Sequence, residues 1–135
     1  MIQGVFFFII RVHKIIVAGS RTVFSSPEKI PKLLKGFFKW YLEEKKKLNP
    51  VELAAMAHLK FVTIHPYSDG NGRISRLLAN YILKSHGYPL LNIKFNDRMA
   101  YYKSLELSQI NENPKYFVRY LLKRYLKANN KYAKK

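Results

Sequence analysis

The sequence predicts a mainly α-helical domain with a short β-hairpin flap on its N-terminal side. Apolar residues recur at helical spacing through most of the chain, and proline or asparagine stands at the start of several of these stretches. The first two dozen residues differ, because they are rich in Val, Ile and Phe, which favour strands. With 135 residues, 48% of them hydrophobic and 15% aromatic, the chain has the size and composition of one packed domain.

The N-terminal segment is expected to form one or two strands. Residues 5–17 are mostly Phe, Ile and Val, and the Ala18-Gly19-Ser20 that follows is typical of a turn. We therefore assign residues 1–24 to a strand and flap region. The run from Val5 to Ile10 is too short for a bilayer, which takes about 20 residues. It also lacks the basic start and cleavage site of a signal peptide, so we expect no membrane association and a cytoplasmic location.

Two helices are predicted next. Ser25-Ser26-Pro27-Glu28 combines a serine cap, a proline and an acid, and this helix is expected to end near Lys45-Lys46-Lys47. The second helix starts at Asn49-Pro50 with similar signals and carries apolar residues on all sides, which predicts a buried central helix. It should end at His65, since Pro66 disfavours helical geometry in the residue before it.

Three further helices complete the prediction. One follows the apolar period from Ile74 to Leu83 and ends around Gly87 as a C-terminal cap. The others start at Asn96-Asp97 and at Asn113-Pro114. The helical core is thus expected over 27–126 and a single domain over 1–126. The basic stretch 127–135 is expected to be a disordered tail.

One segment, residues 65–76, carries the chemistry and is called the motif loop below. It reads His-Pro-Tyr-Ser-Asp-Gly-Asn-Gly-Arg-Ile-Ser-Arg. Gly70, Asn71 and Gly72 permit a turn whose backbone N–H groups can approach a ligand closely. The helix that follows adds unpaired N–H groups and a positive dipole end. The segment is therefore a candidate anion-binding site.

Charged side chains in the motif loop fit the same interpretation. Arg73 and Arg76, three residues apart, share one face of the helix's first turn and could clamp a polyphosphate. Asp69 could hold a Mg²⁺ ion that bridges phosphate oxygens. His65 titrates near neutrality, as a general base should. These groups together indicate transfer of a phosphorus-containing group to a hydroxyl.

Each of these residues also has a plainer explanation. The glycines could only shape a turn, the arginines could be solvated, and the histidine could cap a helix. The joint pattern favours the functional interpretation. It is not a Walker A loop, which has a lysine after the last glycine, and one histidine with one aspartate are too few ligands for zinc.

The motif loop resembles the signature of Fic-domain enzymes, His-Pro-Phe-x-Asp/Glu-Gly-Asn-Gly-Arg-x-x-Arg, with Tyr67 in place of the usual Phe. We expect the tyrosine ring to keep anchoring the loop in the core. The resemblance continues in the stretch 98–105, which is similar to a later helix of the family. It also covers the residues that resemble the family's flap hairpin and the helix after it: Arg11, Ile15, Val17, Gly19 and 25–31.

This resemblance implies a protein adenylyltransferase (AMPylator). Such an enzyme, with Mg²⁺, transfers AMP from its substrate ATP to a Tyr, Thr or Ser hydroxyl of a target protein and releases pyrophosphate. By position, His65 would deprotonate the hydroxyl and Asp69 would bind Mg²⁺. The flap would pin the target segment as an added strand, and it comprises Ile15, Ile16, Val17, Ala18, Gly19 and Ser20.

The resemblance also implies how ATP would be held. Gly70, Asn71 and Gly72 would line the anion hole, with Asn71 at the α-phosphate. Arg73 and Arg76 would hold the β- and γ-phosphates. Phosphorylating relatives that resemble the Doc toxins usually carry lysine at the position of Gly72 and bind ATP reversed, so the glycine favours AMP transfer.

A candidate inhibitory string lies near the end of the chain. Many Fic relatives are silenced by Ser/Thr-x-x-x-Glu-Gly/Asn, whose glutamate pairs with the second motif arginine. Residues 108–113, Ser-Gln-Ile-Asn-Glu-Asn, fit this string. They lie where one predicted helix ends and the next begins, so we interpret them as junction polarity, with inhibition by Glu112 as the alternative. An inhibitory partner or a second copy of the chain is the other route to regulation.

Two other functions stay open. The same site could remove AMP or transfer a phosphoryl or another nucleotidyl group. A non-catalytic binding module is the third hypothesis, since 25 Lys and Arg against 8 acids give a net charge of +17, which favours polyanions such as nucleic acid. The basic residues are spread along the chain, which disfavours that role. Of the other histidines, His58 is expected in the core, His86 at a helix end and His13 on an exposed strand.

Overall fold

The structure is a computed structural model that describes residues 10–130. Two 3₁₀ turns, Pro27–Lys29 and Phe95–Asp97, precede the first and fourth helices. The described residues contain five helices: α1 (Ile30–Glu44), α2 (Pro50–Ile64), α3 (Asn71–Ser85), α4 (Arg98–Ile110) and α5 (Lys115–Ala128). The helical class is therefore confirmed.

Helix α2 is the centre of the core, as the sequence predicts. It packs against α1, α3 and α5, and ten of its 15 residues are buried. Asn49 caps its start, because the side-chain oxygen accepts a hydrogen bond from the Val51 N–H at 2.9 Å. The helix ends at His65, which adopts a left-handed conformation with φ of 53° immediately before Pro66.

Helix α3 begins at Asn71, three residues earlier than the apolar period that starts at Ile74 predicts. Gly70 is its N-cap residue, with a left-handed φ of 84° that suits glycine. Asn71 and Gly72, which the sequence places in a turn before the helix, therefore belong to its first turn. The helix ends as predicted, because Gly87 has a φ of 74° and its N–H donates to the Lys84 carbonyl.

The predicted β-hairpin flap is wrong, because no strand forms within residues 10–130. The turn of the prediction is present: the Ser20 N–H donates to the Val17 carbonyl at 3.0 Å, and Gly19 has a φ of 80°. Ile16 and Val23 are 92% and 94% exposed, so these β-branched residues have no sheet face to pack against. An isolated hairpin is at best marginally stable. The part of the prediction that concerns residues 1–9 lies outside the described residues.

Side chains of the helices hold this segment instead of a strand ladder. The Arg21 N–H donates to Glu106 Oε1 at 2.6 Å. The Thr22 hydroxyl donates to Gln109 Oε1 at 2.9 Å, and Gln109 Nε2 donates to the Thr63 hydroxyl at 3.2 Å. The segment is therefore attached to α4 and, through it, to α2.

Helix α5 continues to Ala128, two residues into the predicted tail. The last part of that tail, residues 131–135, lies outside the described residues. Among residues 10–130, none of the helices has the length and apolar character needed to span a membrane.

Candidate active site

His65, the candidate base, stands at the C-terminal end of α2 and is half-buried. Its Nδ1 lies 3.3 Å from the Val62 carbonyl oxygen. This contact favours a hydrogen on Nδ1, which leaves Nε2 able to accept a proton. Burial lowers the pKa of His65, the bond to Val62 opposes this, and the positive charge of Arg11 adds to the lowering. The imidazole is therefore in its neutral, basic form at neutral pH.

Arg11 holds the backbone at His65, a role that its sequence position did not reveal. The residue is only 2% exposed. Its Nε donates to the His65 carbonyl at 2.6 Å, Nη1 to the His13 carbonyl at 2.9 Å, and Nη2 to the Ser25 carbonyl at 2.6 Å. Its backbone N–H donates to the Pro66 carbonyl at 2.9 Å. In the sequence, Arg11 stands out as a charged residue inside an apolar run and as one of the positions that resemble the Fic flap hairpin.

The ring of Phe24 lies against His65, with 4.4 Å between ring centroids and an interplanar angle of 38°. Phe24 belongs to the segment that Arg11 ties to the motif loop. The imidazole is therefore positioned by the Val62 carbonyl and by an aromatic neighbour. Sequence reasoning gave Phe24 no role.

Asn71 closes the motif loop. Its Oδ1 accepts a hydrogen bond from the Tyr67 N–H at 3.0 Å, and its Nδ2 donates to the Tyr67 carbonyl at 2.8 Å. The Asn71 carbonyl accepts a bond from the Ser75 hydroxyl at 2.7 Å. Nδ2 carries two hydrogens, and the bond to Tyr67 uses one of them. Asn71 thus shapes the loop and retains one donor.

Tyr67 anchors the loop in the core, as we expect from the sequence. It is 4% exposed, and its ring lies 6.1 Å from that of Phe61 between centroids. Burial raises the pKa of its hydroxyl. Tyr67, which stands where the Fic signature usually has phenylalanine, therefore keeps its ring buried in the core.

Asp69 is exposed at the tip of the motif loop, where its Oδ1 accepts a hydrogen bond from the Gly70 N–H at 2.8 Å. It forms no salt bridge with any residue between 10 and 130. Mg²⁺ commonly keeps several waters and binds through one or two carboxylates plus substrate phosphates. A single exposed carboxylate beside a helix N-terminus fits that ion.

The two arginines lie in the first turn and a half of α3 but differ in burial. Arg73 is exposed, whereas Arg76 is half-buried. Nη1 of Arg76 lies 3.4 Å from the Tyr101 hydroxyl, and its guanidinium carbon lies 5.8 Å from the Tyr101 ring centroid. A Cβ added at Gly72 would lie 3.3 Å from that Nη1. Neither arginine forms a salt bridge in the described part of the chain, so both charges are available to an anion.

The flap residues 15–20 lie largely on the surface. Ile15 and Ser20 are half-buried, and the residues between them are exposed. The bond from Arg11 to the His13 carbonyl ties the start of this segment to the backbone at His65.

Glu112 is exposed in the turn between α4 and α5, and its φ is 48°. Ser108 joins the two helices there. Its hydroxyl accepts a hydrogen bond from the Phe117 N–H at 2.9 Å, and its carbonyl accepts one from the Asn113 N–H at 3.0 Å. These bonds support our interpretation of the string as a helix junction.

Two concavities lie away from these groups. One, of about 480 Å³, lies between Asn92, Asp97 and Arg124. The other, of about 270 Å³, is an apolar groove between α1, α2 and α3. The motif loop itself is open to solvent at Asp69 and Arg73. It is the candidate site because of its chemistry and not because of its depth.

The described residues thus bring a histidine of lowered pKa into the loop that precedes α3, and two arginines lie in the first turns of that helix. The sequence profile of the Fic/DOC family matches residues 4–83 of the chain. The chain belongs to the Fic/DOC family.

Named relatives support this assignment. The protein adenylyltransferase Fic of Nematostella vectensis is 46% identical over 59% of this chain, and protein adenylyltransferase fic-1 of Caenorhabditis elegans is 40% identical over 73%. Each match covers 19% of the relative, so the chain spans about a fifth of the length of these curated relatives. A solved structure of Fic-1 from C. elegans superimposes with a TM-score of 0.79 at 34% identity, covering 92% of this chain and 36% of that one.

Proposed function

We propose that the chain is an adenylyltransferase domain that transfers AMP from ATP to a Tyr, Thr or Ser hydroxyl of a target protein. The observation that carries the proposal is the neutral His65 beside the N-terminus of α3, whose two arginines form no salt bridge within residues 10–130. A base, an anion hole and two cations are what attack of a hydroxyl on a polyphosphate requires. The relatives carry the name protein adenylyltransferase, which is the activity that this arrangement suits.

His65 is the catalytic base of the proposal. Its Nε2 takes the proton of the target hydroxyl as the oxygen attacks the α-phosphorus of ATP. A new bond joins this oxygen to the α-phosphorus, and the bond from the α-phosphorus to the α–β bridging oxygen breaks. Pyrophosphate leaves with the electron pair of that bond. The hydrogen bond from Nδ1 to Val62 fixes the ring in the tautomer that this step needs.

The N-terminal turn of α3 holds the phosphates. The backbone N–H groups at Asn71 and Gly72 face the α-phosphate, and Asn71 adds the amide hydrogen that Tyr67 does not use. Arg73 and Arg76 bind the β- and γ-phosphates through their guanidinium groups. Gly72 leaves room for the Arg76 guanidinium, because a Cβ at position 72 would lie only 3.3 Å from Nη1 of Arg76.

Asp69 would hold Mg²⁺, for which its exposed carboxylate is suited. When bound, the ion would supply positive charge that offsets the negative charge of the phosphate oxygens. The turn that includes the Gly70 N–H orients the carboxylate, since Oδ1 is hydrogen-bonded to it at 2.8 Å.

The flap residues 15–20 bind the target protein in this proposal. Their exposed backbone can pair with an extended target segment that adds as a strand and brings its hydroxyl towards His65. The bond between Arg11 and His13 keeps the segment close to the base. Regulation would come from an inhibitory partner or from a second copy of the chain. The proposed location is the cytoplasm, which the absence of cysteine in the sequence suits.

The decisive experiment labels ATP at the α- or the γ-phosphate. Wild type and His65→Ala are incubated with Mg²⁺, a protein acceptor mixture and each ATP. We expect protein-bound label from the α position alone, and only with wild type. Label from the γ position would instead show phosphoryl transfer by the same site. If neither ATP labels protein and the chain binds RNA or DNA in a salt-sensitive way, the non-catalytic binding module is the hypothesis that remains.

A further inference from the structure

A buried polar pair lies behind the motif loop. His58 of α2 is 0% exposed and Tyr101 of α4 is 2% exposed. The Tyr101 hydroxyl and His58 Nε2 are 2.8 Å apart. The other ring nitrogen, Nδ1, is buried without a hydrogen-bond partner among residues 10–130. A polar group without a partner in a core is costly, so packing alone does not account for a histidine here.

Tyr101 of this pair also contacts Arg76, which is half-buried. Nη1 of Arg76 lies 3.4 Å from the Tyr101 hydroxyl, and the guanidinium lies over the Tyr101 ring. Within the described residues, no carboxylate forms a salt bridge with this arginine. Tyr101 is therefore the neutral group that supports a cation whose charge stays free for a ligand.

The protonation states of His58 and Tyr101 decide which group donates each of these hydrogen bonds. Burial, together with the charge of Arg76, lowers the pKa of His58 to about 3, so the ring is neutral at pH 7. Burial raises the pKa of Tyr101 to about 12, so the hydroxyl keeps its hydrogen. The arginine can only donate, so Tyr101 accepts from Arg76 and donates to Nε2 of His58.

We propose that Tyr101 and His58 are positioning residues that hold the Arg76 guanidinium at the N-terminus of α3 to receive the outer phosphates of the nucleotide. The proposal rests on the proposed function for the identity of the ligand. Neither residue touches the substrate. Both act through Arg76, which is held between the Tyr101 ring and the space left by Gly72.

Phosphate binding measured without transfer tests the proposal. Titration calorimetry with Mg²⁺ and tripolyphosphate compares wild type with Tyr101→Phe, which keeps the ring and removes the hydroxyl. We expect tripolyphosphate to bind about tenfold more weakly and AMP to bind unchanged, since Arg76 would lose the hydrogen bond that the Tyr101 hydroxyl accepts. Tyr102→Phe, on an exposed neighbour, is the matched control and should bind both as wild type does.

Coupling to Arg76 separates positioning from a general structural effect. In an Arg76→Ala background, Tyr101→Phe should cost no further affinity for tripolyphosphate, because the group it positions is gone. An equal loss in both backgrounds would overturn the proposal. So would a wild type that does not bind tripolyphosphate.

A second pair of variants tests His58. His58→Gln keeps an acceptor for the Tyr101 hydroxyl, whereas His58→Leu does not. We expect tripolyphosphate affinity to stay near the wild-type value in the first and to fall several-fold in the second, with both melting transitions cooperative. Equal affinity in the two would contradict the proposal. The two proposals can fail separately. If Tyr101→Phe weakens tripolyphosphate binding but wild type transfers no AMP, the proposed function is refuted and the positioning role is retained.

Discussion

The motif loop and the flap segment meet at His65 but are built in opposite ways. In the motif loop, Asn71 and Arg11 satisfy the backbone of Tyr67, His65 and Pro66 with hydrogen bonds of 2.6–3.0 Å. The flap segment, 15–20, has one turn, and most of it is exposed. Under the proposed function, the segment with many hydrogen bonds is the one that holds the phosphates. The exposed segment is the one that an incoming target strand would complete.

Arg11 is the joint between these two regions, so its removal should have the largest effect on stability. Arg11→Gln cannot reach the carbonyls of His65, His13 and Ser25 together, which leaves these part-buried acceptors without their partner. We expect unfolding to become easier by about 3 kcal/mol in urea melts. The control is Arg21→Gln, whose exposed side chain lies 3.9 Å from Glu106 and should change stability by less than about 0.5 kcal/mol. Equal effects of the two changes would contradict this view of the joint.

Low pH should reduce the stability of the protein through His58, which is buried behind the motif loop, and not through the exposed flap segment. His58 has a pKa of about 3 when folded and an ordinary value of 6.5. Between these values the unfolded chain binds more protons, so the stability is complete above pH 6.5 and falls as the pH drops towards 3. From pH 7 to pH 5, wild type should lose about 2 kcal/mol more than His58→Gln.

Urea unfolding at the two pH values measures this loss. His13→Gln, in the segment next to the flap, should keep the wild-type dependence, because His58 is still present. A His58→Gln variant that loses as much stability as wild type would show that this histidine is not the acid-sensitive group.

A substitution in the flap segment should weaken the use of the target protein and leave nucleotide binding unchanged. Ile16 is 92% exposed, so Ile16→Ser should leave folding and ATP binding unchanged. We expect kcat/KM for a protein acceptor to fall about tenfold, as for loss of one apolar contact at an interface. Val23→Ser, equally exposed but outside residues 15–20, is the control and should keep full activity. Equal losses in both variants would remove the special role of the flap.

The smallest effect is expected at Glu112. Its φ of 48° is unfavourable for a residue with a Cβ, so Glu112→Gly should raise stability by roughly 0.5 kcal/mol. Asn111→Gly, where φ is −87°, should instead lower it. AMP transfer should stay within about twofold of wild type if this string only joins two helices. A sharp rise in transfer would establish Glu112 as inhibitory.

Local signals in the sequence predicted much of the helical framework. Asn49 before Pro50 predicted the start of α2, and Pro66 predicted its end at His65. The spacing of Asp69 and Arg73 placed them at one helix N-terminus. These features depend on residues near each other in the chain, so composition and spacing are sufficient to find them.

The misses depend on distant partners. Val and Ile in residues 12–23 favour extended backbone, but a strand needs a partner ladder that no local pattern guarantees. The support of Arg76 by Tyr101 spans 25 residues, and the link from Arg11 to His65 spans 54. A charged residue in an apolar run and a buried histidine were visible in the sequence. Their partners were not.

The most direct test of the division of labour in the motif loop compares ATP binding with AMP transfer in His65→Ala. We expect the ATP dissociation constant to stay within about threefold of wild type, since the proposed function assigns the phosphates to α3 and not to His65. Transfer of label from α-labelled ATP should fall at least a hundredfold, as for loss of a general base. Transfer that survives in this variant, or ATP binding that is lost together with transfer, would contradict the assignment of His65 as the base.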